Sequence, residues 1–411
     1  LLKNQIKWDL IIYLFSVLEI MDYKLNILLV EDSETDADLL IRFLKKQGID
    51  FSYTRVWNKD DFEKAIKETK IDIIIADNTL PQFSGMEAFR ILKNENSNTP
   101  FIMVSGTVTE DVLTEYAKEG IDDYFMKDNL LRLPLAVEHV INKKKIELLN
   151  DQLDNAYQHI SSSIIYAKTI QDAMLPNPKV LSNCFPESFI LFKPKDIISG
   201  DFYWLREEEN TFYVAVADCT GHGVPGALLS MIGIEKLNNI VLAHKKPSEI
   251  LAQLNIRITS ALGQSEHLAN SNDGMDIALG SINKKTRTLN FAGAYRPLWI
   301  VRKDTDEIEV IKGTKKSIGG IIPTMFTNFE SHIIKLQYGD TIYLFSDGFS
   351  DLYGGGNDSK LTIKRFRQLL ISIQDKTMSQ QVNFLSNFID EWKQNLKQTD
   401  DILVIGLRID F

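Results

Sequence analysis

The chain predicts three parts in series: a five-stranded, doubly wound parallel α/β domain, a helical linker and an α+β sandwich. Three features of the sequence predict this. From Asn26 to about Ile146, short wholly apolar runs alternate with amphipathic stretches. Residues 137–175 hold a 3-4 apolar spacing with no Pro or Gly. Beyond Phe185, strand-like runs separated by turn signals stand apart from a few helix-like stretches.

In the first part, NILLV, IDIIIA and TPFIMV read as strands buried on both faces, as parallel strands are. The stretch DADLLIRFLKKQG between them reads as a helix that ends at Gly48. Alternating βα units place a site at the C-terminal ends of the strands. In the linker, Ile146, Leu149, Leu153, Ala156, Ile160, Ser163, Ala167, Ile170 and Met174 keep the 3-4 spacing. Two readings stand: a dimeric coiled coil with a weak seam, or one amphipathic helix packed on its own domain. Pro176 and Pro178 stop the helix.

In the third part, FYVAVAD, MDIALGSI, TLNFAGA, LWIVR and DTIYLFSD read as antiparallel strands. VPGALLSMIGIEKLNNIVLAH, PSEILAQLNIRITSAL and the stretch from Phe366 to Leu396 read as helices. The expected boundaries are an extension at 1–20, a first domain at 21–136, a linker at 137–175 and a second domain at 176–411.

At 411 residues, with 44% hydrophobic and 25% charged side chains, two globular domains are expected. The net charge of −10 argues against nucleic acid as a partner. The two cysteines, Cys184 and Cys219, lack paired spacing, and a reducing cytoplasm is expected. The apolar run Leu10–Leu18 is too short to span a bilayer, so no membrane span is expected. Met21 directly precedes the first strand, and residues 1–20 read as an extension of the true start or a dispensable tail.

Two acidic constellations carry chemistry. In the first, Glu31 and Asp32 follow strand one and Asp77 follows strand three. Those strand ends are adjacent in a doubly wound sheet, so the carboxylates converge, and hard oxygen ligands suit Mg²⁺. One carboxylate of such a group can accept a phosphoryl group as a nucleophile. Ser105 ends strand four, where its hydroxyl can bond a phosphoryl oxygen, and Lys127 ends strand five as a point charge. Singly, each has a plainer reading: Asp32 or Ser33 as a helix N-cap, Lys127 as a solvated surface charge. Together, residues 24–145 resemble the receiver domain of two-component response regulators. The resemblance implies Asp77 as phosphoacceptor, Glu31 and Asp32 as Mg²⁺ ligands, and the Thr79 carbonyl on the metal. It also implies Ser105 as the switch hydroxyl and Tyr124 as the switch aromatic. Asp128 stands where many receivers have Pro.

In the second constellation, Asp218 ends a strand before CTGHG, and Asp347 ends another before Gly348. Asp400 and Asp401 precede the last strand, and Asp201 lies in SGDF. Carboxylates gathered at strand ends can hold two divalent cations that activate water against a phosphate. A single Asp–Gly is usually a turn, which is the reading for Asp340 and Asp273, whereas Asp276 stays open between turn and ligand. His222 reads either as a general acid or as a turn-packing residue. Cys219 reads as a small buried residue.

Residues 185–411 resemble the metal-dependent protein phosphatase (PPM) superfamily in its bacterial sporulation and stress branch. The resemblance lies in KPKDIISGDFYW, ADCTGHGVPGALLS, AGAYRPLW, YLFSDGFSD and TDDILVI. It implies αββα layers and two Mn²⁺ or Mg²⁺ ions. Asp218 would bridge them, Asp347 and Asp400 would hold one, and Asp201 with the Cys219 carbonyl would lie beside the other. Asp401 competes with Asp400 in register. Ser199 and Trp204 replace a Gly and an Asp common in the first motif. Arg296 takes the place of a frequent His-Asn pair, as a phosphate-binding or a structural residue.

The expected function is a response regulator with protein serine/threonine phosphatase output. A sensor histidine kinase or phosphotransfer protein would act on Asp77. The substrate would be a phosphoprotein, which the resemblance makes of anti-anti-sigma (STAS) type, and the assembly a homodimer. Two alternatives stand beside it: a catalytically weak phosphoprotein-binding module, and a phosphatase for small molecules.

Overall fold

The computed structural model describes residues 24–95, 97–106, 109–264, 272–303, 305, 307–320, 328–356 and 358–411. The proposed extension at 1–20 lies outside them. The chain forms two compact units that part within a long helix, between Tyr157 and Gln158.

In the first unit, strands β1 (Leu25–Val30), β2 (Phe51–Val56), β3 (Ile73–Asp77), β4 (Phe101–Ser105) and β5 (Asp123–Met126) form one sheet in the order β2-β1-β3-β4-β5. Every pairing in it is parallel. The apolar runs are continuous because both faces are covered. Ile27 and Leu29 pack with Leu40, Leu44 and Leu133, while Leu28 and Val30 pack with Phe62, Met86 and Phe89. Helix α1 (Glu34–Lys46) is capped by Ser33, whose hydroxyl accepts from the Asp36 amide, and Gly48 follows it at φ +82°. Helices α2 (Lys59–Glu68), α3 (Gly85–Asn94) and α4 (Glu110–Glu119) complete the alternation.

Helix α5 (Leu133–Met174) runs for 42 residues. Pro134 is tolerated in its first turn, where no intrahelical amide bond is lost. Leu133, Val137 and Val140 are part of the first unit's core. Farther along, Ile146, Leu153, Ile160 and Ile170 are exposed, so the 3-4 seam is uncovered within this chain.

The second unit begins with the short helix α6 (Lys179–Cys184) and is built of two large antiparallel sheets, with a small hairpin of β16 (Tyr353–Gly354) and β17 (Ser359–Lys360) beside them. One, in the order β14-β10-β9-β8-β7, holds β7 (Phe202–Glu208), β8 (Thr211–Cys219), β9 (Gly274–Asn283), β10 (Thr288–Ala294) and β14 (His332–Lys335), with β13 (Ile318–Gly319) paired to β9. The other, in the order β12-β11-β15-β18-β6, holds β6 (Ser188–Lys193), β11 (Leu298–Val301), β12 (Ile308–Ile311), β15 (Thr341–Phe345) and β18 (Ile402–Arg408). Val214, Val216, Ala278 and Phe291 of the first sheet meet Ile300, Leu344 and Ile405 of the second. The outer face of the first sheet packs on α7 (Gly223–Ala243) and α8 (Pro247–Ala261) through Leu237, Ile240 and Leu254. The second sheet packs on α9 (Thr362–Ser372) and α10 (Met378–Lys393) through Phe366, Leu385 and Ile389. The layers are therefore α, β, β, α.

Helix α7 is long and apolar enough to cross a membrane, but half of its apolar window is buried in this core. Trp204 is also a core residue. It is 1% exposed, and its indole donates to Asn238 at 2.8 Å.

Candidate functional site

The first unit gathers its polar side chains where β1, β3, β4 and β5 end. Asp77 is the last residue of β3, Glu31 follows β1, and Lys127 follows β5. Oxygens of Glu31, Asp32 and Asp77 lie within 4.8 Å of one another, a hard-ligand set that fits Mg²⁺. The Lys127 ammonium sits 2.8 Å from Glu31, 2.7 Å from Asp77 and 2.6 Å from Asp36. Burial pulls the Lys127 pKa down, but the bonds to Asp36, Asp77 and Glu31 outweigh it, and the net shift is upward. Burial raises Glu31 despite its bond from Lys127.

The Thr79 amide donates to Asp77 Oδ1 at 3.2 Å, which brings the Thr79 residue beside the carboxylate. Ser105 is buried at the end of β4, and the Lys127 amide donates to its carbonyl. Tyr124 lies half exposed on β5, its ring 6.4 Å from that of buried Tyr116. Asp36 is a member of this cluster that sequence reasoning passed over. It sits in the first turn of α1, where an acid usually serves the helix dipole.

The second unit's cleft, of about 280 Å³, is lined by Asp218, Cys219, Thr220, Gly221, His222, Met275, Asp276, Arg296, Ser317, Asp347 and Asp400. Asp218 comes from β8, and Asp276 lies opposite it on β9. Asp347 follows β15, and Asp400 precedes β18. The turn from β8 into α7 is possible because Gly221 adopts φ +82°. Loop 199–201 lies against that turn: a Cβ on Gly200 would stand 2.5 Å from the Gly221 carbonyl.

The two final aspartates face different partners. Asp400 lines the cleft. Asp401 is 2% exposed, and its carboxylate accepts from the amides of Lys195 and Gly200, each at 2.7 Å, and of Asp201 at 3.4 Å. Asp401 thus holds the loop that carries Asp201. Asp201 is 3% exposed, and its Oδ2 has no hydrogen-bond partner among the described residues. A buried carboxylate oxygen without a partner is costly, and a cation beside it removes that cost.

Arg296 Nη2 lies 2.5 Å from Asp218, 2.8 Å from Asp347 and 3.8 Å from Asp276. Burial drives the Asp218 pKa up to about 8, with Arg296 opposing and Asp347, Asp400 and Asp276 reinforcing. Burial raises Asp201, Asp276 and Asp400 as well. The cleft is therefore short of positive charge. Its four carboxylates, Asp218, Asp276, Asp347 and Asp400, are hard oxygen donors, which fit Mg²⁺ or Mn²⁺. Cys219 keeps its thiol in the core, where burial raises the pKa, so only its backbone is offered to a metal. His222 Nδ1 is 2.8 Å from Asp196 Oδ2, and both are half exposed. Asp276 and its 2.5 Å bond from Ser317 complete the cleft. The signal for Asp276 was a charge at the start of an otherwise apolar strand.

Two family models match. "Response regulator receiver domain" covers residues 27–137, and "Stage II sporulation protein E (SpoIIE)" covers 208–410. The SiaA-PP2C domain of Pseudomonas aeruginosa superposes with a TM-score of 0.56 at 32% identity, over 62% of this chain and 99% of that one. Phosphoserine phosphatase RsbU of Bacillus subtilis is 26% identical over 195 residues, which are 47% of this chain and 55% of RsbU. The cell cycle transcriptional regulator CtrA of Caulobacter vibrioides is 31% identical over 106 residues, 25% of this chain and 44% of CtrA. The chain thus spans about half the length of these two curated relatives.

Proposed function

Because the chain belongs to the SpoIIE-type PPM (PP2C) serine/threonine phosphatase family and carries a response-regulator receiver domain, we propose that it is a response regulator whose output is metal-dependent removal of phosphate from phosphoserine or phosphothreonine of a partner protein. The observation that carries this is the cleft itself. Asp218, Asp347 and Asp400 line it, and the Oδ2 of Asp201, without a partner among the described residues, belongs to a buried carboxylate whose pKa Asp218 helps to raise.

We assign Asp218, Asp347 and Asp400 as the residues that would hold one ion, and Asp218 and Asp201 with the Cys219 carbonyl as those that would lie to the side of the other. Asp401, with its oxygens on three amides, supports the loop instead of binding metal. Divalent ions held there supply Lewis acidity and an activated water for in-line displacement at phosphorus. Arg296 balances the carboxylates through Nη2 and contributes positive charge to the substrate phosphate. His222, oriented by Asp196, holds a proton for the leaving serine or threonine oxygen.

In the receiver, Asp77 accepts the phosphoryl group from a sensor histidine kinase or a phosphotransfer protein. Glu31, Asp32 and the Thr79 carbonyl hold Mg²⁺. Ser105 and Lys127 bind the transferred group, and Tyr124 responds to it. We further propose receiver, linker and phosphatase at 21–136, 137–175 and 176–411, a homodimer joined along the α5 seam, and a cytoplasmic location. The name of the Bacillus relative supports phosphoserine as the target. A STAS-type partner rests on family resemblance alone.

Purified chain with Mn²⁺ should hydrolyse p-nitrophenyl phosphate, and Asp218→Ala should abolish the reaction. Equal rates in the two proteins would remove the two-metal reading. No hydrolysis by the parent above the buffer rate would leave the phosphoprotein-binding module as the function. Beryllofluoride should change the rate or oligomeric state of the wild type and leave Asp77→Asn unmoved.

A further inference from the structure

Gln171 is the one residue of the last turns of α5 that is both polar and buried, at 3% exposure. Helix-surface glutamines ordinarily keep their amides in water. Here Nε2 donates to the Ser199 carbonyl at 2.7 Å and to Ser230 Oγ at 2.9 Å. Oε1 accepts from the Ser199 amide at 3.1 Å. Both backbone groups of Ser199 are thus held by one side chain. Ser199 Oγ in turn accepts from the Asp201 amide at 3.1 Å.

The loop is then gripped from two directions. Asp401 takes the amides of Lys195, Gly200 and Asp201, and Gln171 takes the amide and carbonyl of Ser199. Gly200 between them is pressed on the Gly221 carbonyl, so the loop has no slack on that side. The first grip comes from the catalytic sandwich itself. The second comes from the helix that precedes it. On the turn that carries Gln171, the neighbouring seam residue Ile170 is exposed.

We propose that Gln171 is a positioning residue for the active site: its bidentate hold on Ser199 fixes the backbone that presents the Asp201 carboxylate to the divalent cation. The phosphatase cleft is therefore complete only when the end of α5 is seated. This rests on the metal-site reading given above. Gln171 does not touch substrate or metal. It acts through Ser199 on the direction of Asp201, as partners of metal ligands do elsewhere.

The test is Mn²⁺ binding by calorimetry on the full chain, in a background of Asp32→Asn and Asp77→Asn that silences the receiver cluster. Gln171→Leu, close in size and without hydrogen bonds, should weaken Mn²⁺ binding by about tenfold, the lower range for loss of a ligand's supporting partner. Its hydrolysis rate at saturating Mn²⁺ should return to near the parent value, a split that general unfolding does not give. Ser230→Ala, which removes one bond and leaves Ser199 held, should bind Mn²⁺ as the parent does. Melting in chelator shows whether Gln171→Leu folds. If it does not, Gln171→Glu keeps the acceptor for the Ser199 amide, loses the donated bonds and carries the same test. Unchanged Mn²⁺ affinity in the folded variant overturns the proposal. If the parent itself binds no Mn²⁺, the metal-site reading fails instead.

Discussion

Replacing Arg296 by Ala tests whether its guanidinium is the counter-charge of the cleft. The side chain is 14% exposed, and its Nη2 touches Asp218 and Asp347, which are 20% and 40% exposed. Removing one partner of a fully buried pair costs about 3–5 kcal/mol, because the other charge is left without compensation. Water at Asp347 screens part of that, which brings the expected loss toward about 2 kcal/mol. Trp204 and Trp299, each 1% exposed in the sandwich, should report its urea unfolding through indole fluorescence, whereas Trp57 of the first unit is already 48% exposed. In chelator at about pH 8.5, where Asp218 with its pKa of about 8 is mostly ionised, Arg296→Ala should lose about 2 kcal/mol relative to the parent. With Mn²⁺ present the gap should narrow. The variant's carboxylates are no longer shared with a guanidinium, and tenfold tighter cation binding recovers about 1.4 kcal/mol. No loss in chelator, or the same loss with and without Mn²⁺, would refute the counter-charge argument.

The final aspartates should separate by assay: Asp401→Ala removes the acceptor of three amides and lowers the melting temperature, whereas Asp400→Ala leaves melting nearly unchanged and weakens Mn²⁺ binding. Matching losses in both assays would undo that division. Metal-free stability should fall with pH. Asp218 rises to about 8 in the folded state, so its stabilising proton is fully bound below about pH 4 and is lost as pH climbs through about 8. In chelator the melting temperature should drop across that window, and Asp218→Asn should flatten the slope; an unchanged slope contradicts the assignment. Charged replacements at Leu153 and Ile160 should convert the full chain to a monomer by light scattering, and a persisting dimer would place the interface elsewhere.

The alternation of apolar runs, the strand ends that carry acids and the glycines that turn β8 into α7 are all legible in the order of the residues. These are local matters. A strand buried on both faces must be apolar throughout, and a tight turn at positive φ needs Gly. Which acid faces which partner was decided only in three dimensions. Asp400 and Asp401 are neighbours in sequence and equal in chemistry, yet one lines the cleft and the other meets amides some two hundred positions earlier. Asp36 reaches Lys127 across 91 positions, and Arg296 reaches Asp218 across 78. Gln171 reads as one more polar residue on an amphipathic helix until Ser199 and Ser230 are brought against it. Local pattern records what a backbone needs from its own side chains. The direction of a carboxylate or amide is set by hydrogen-bond partners that only the closing of the two sheets and their helices supplies.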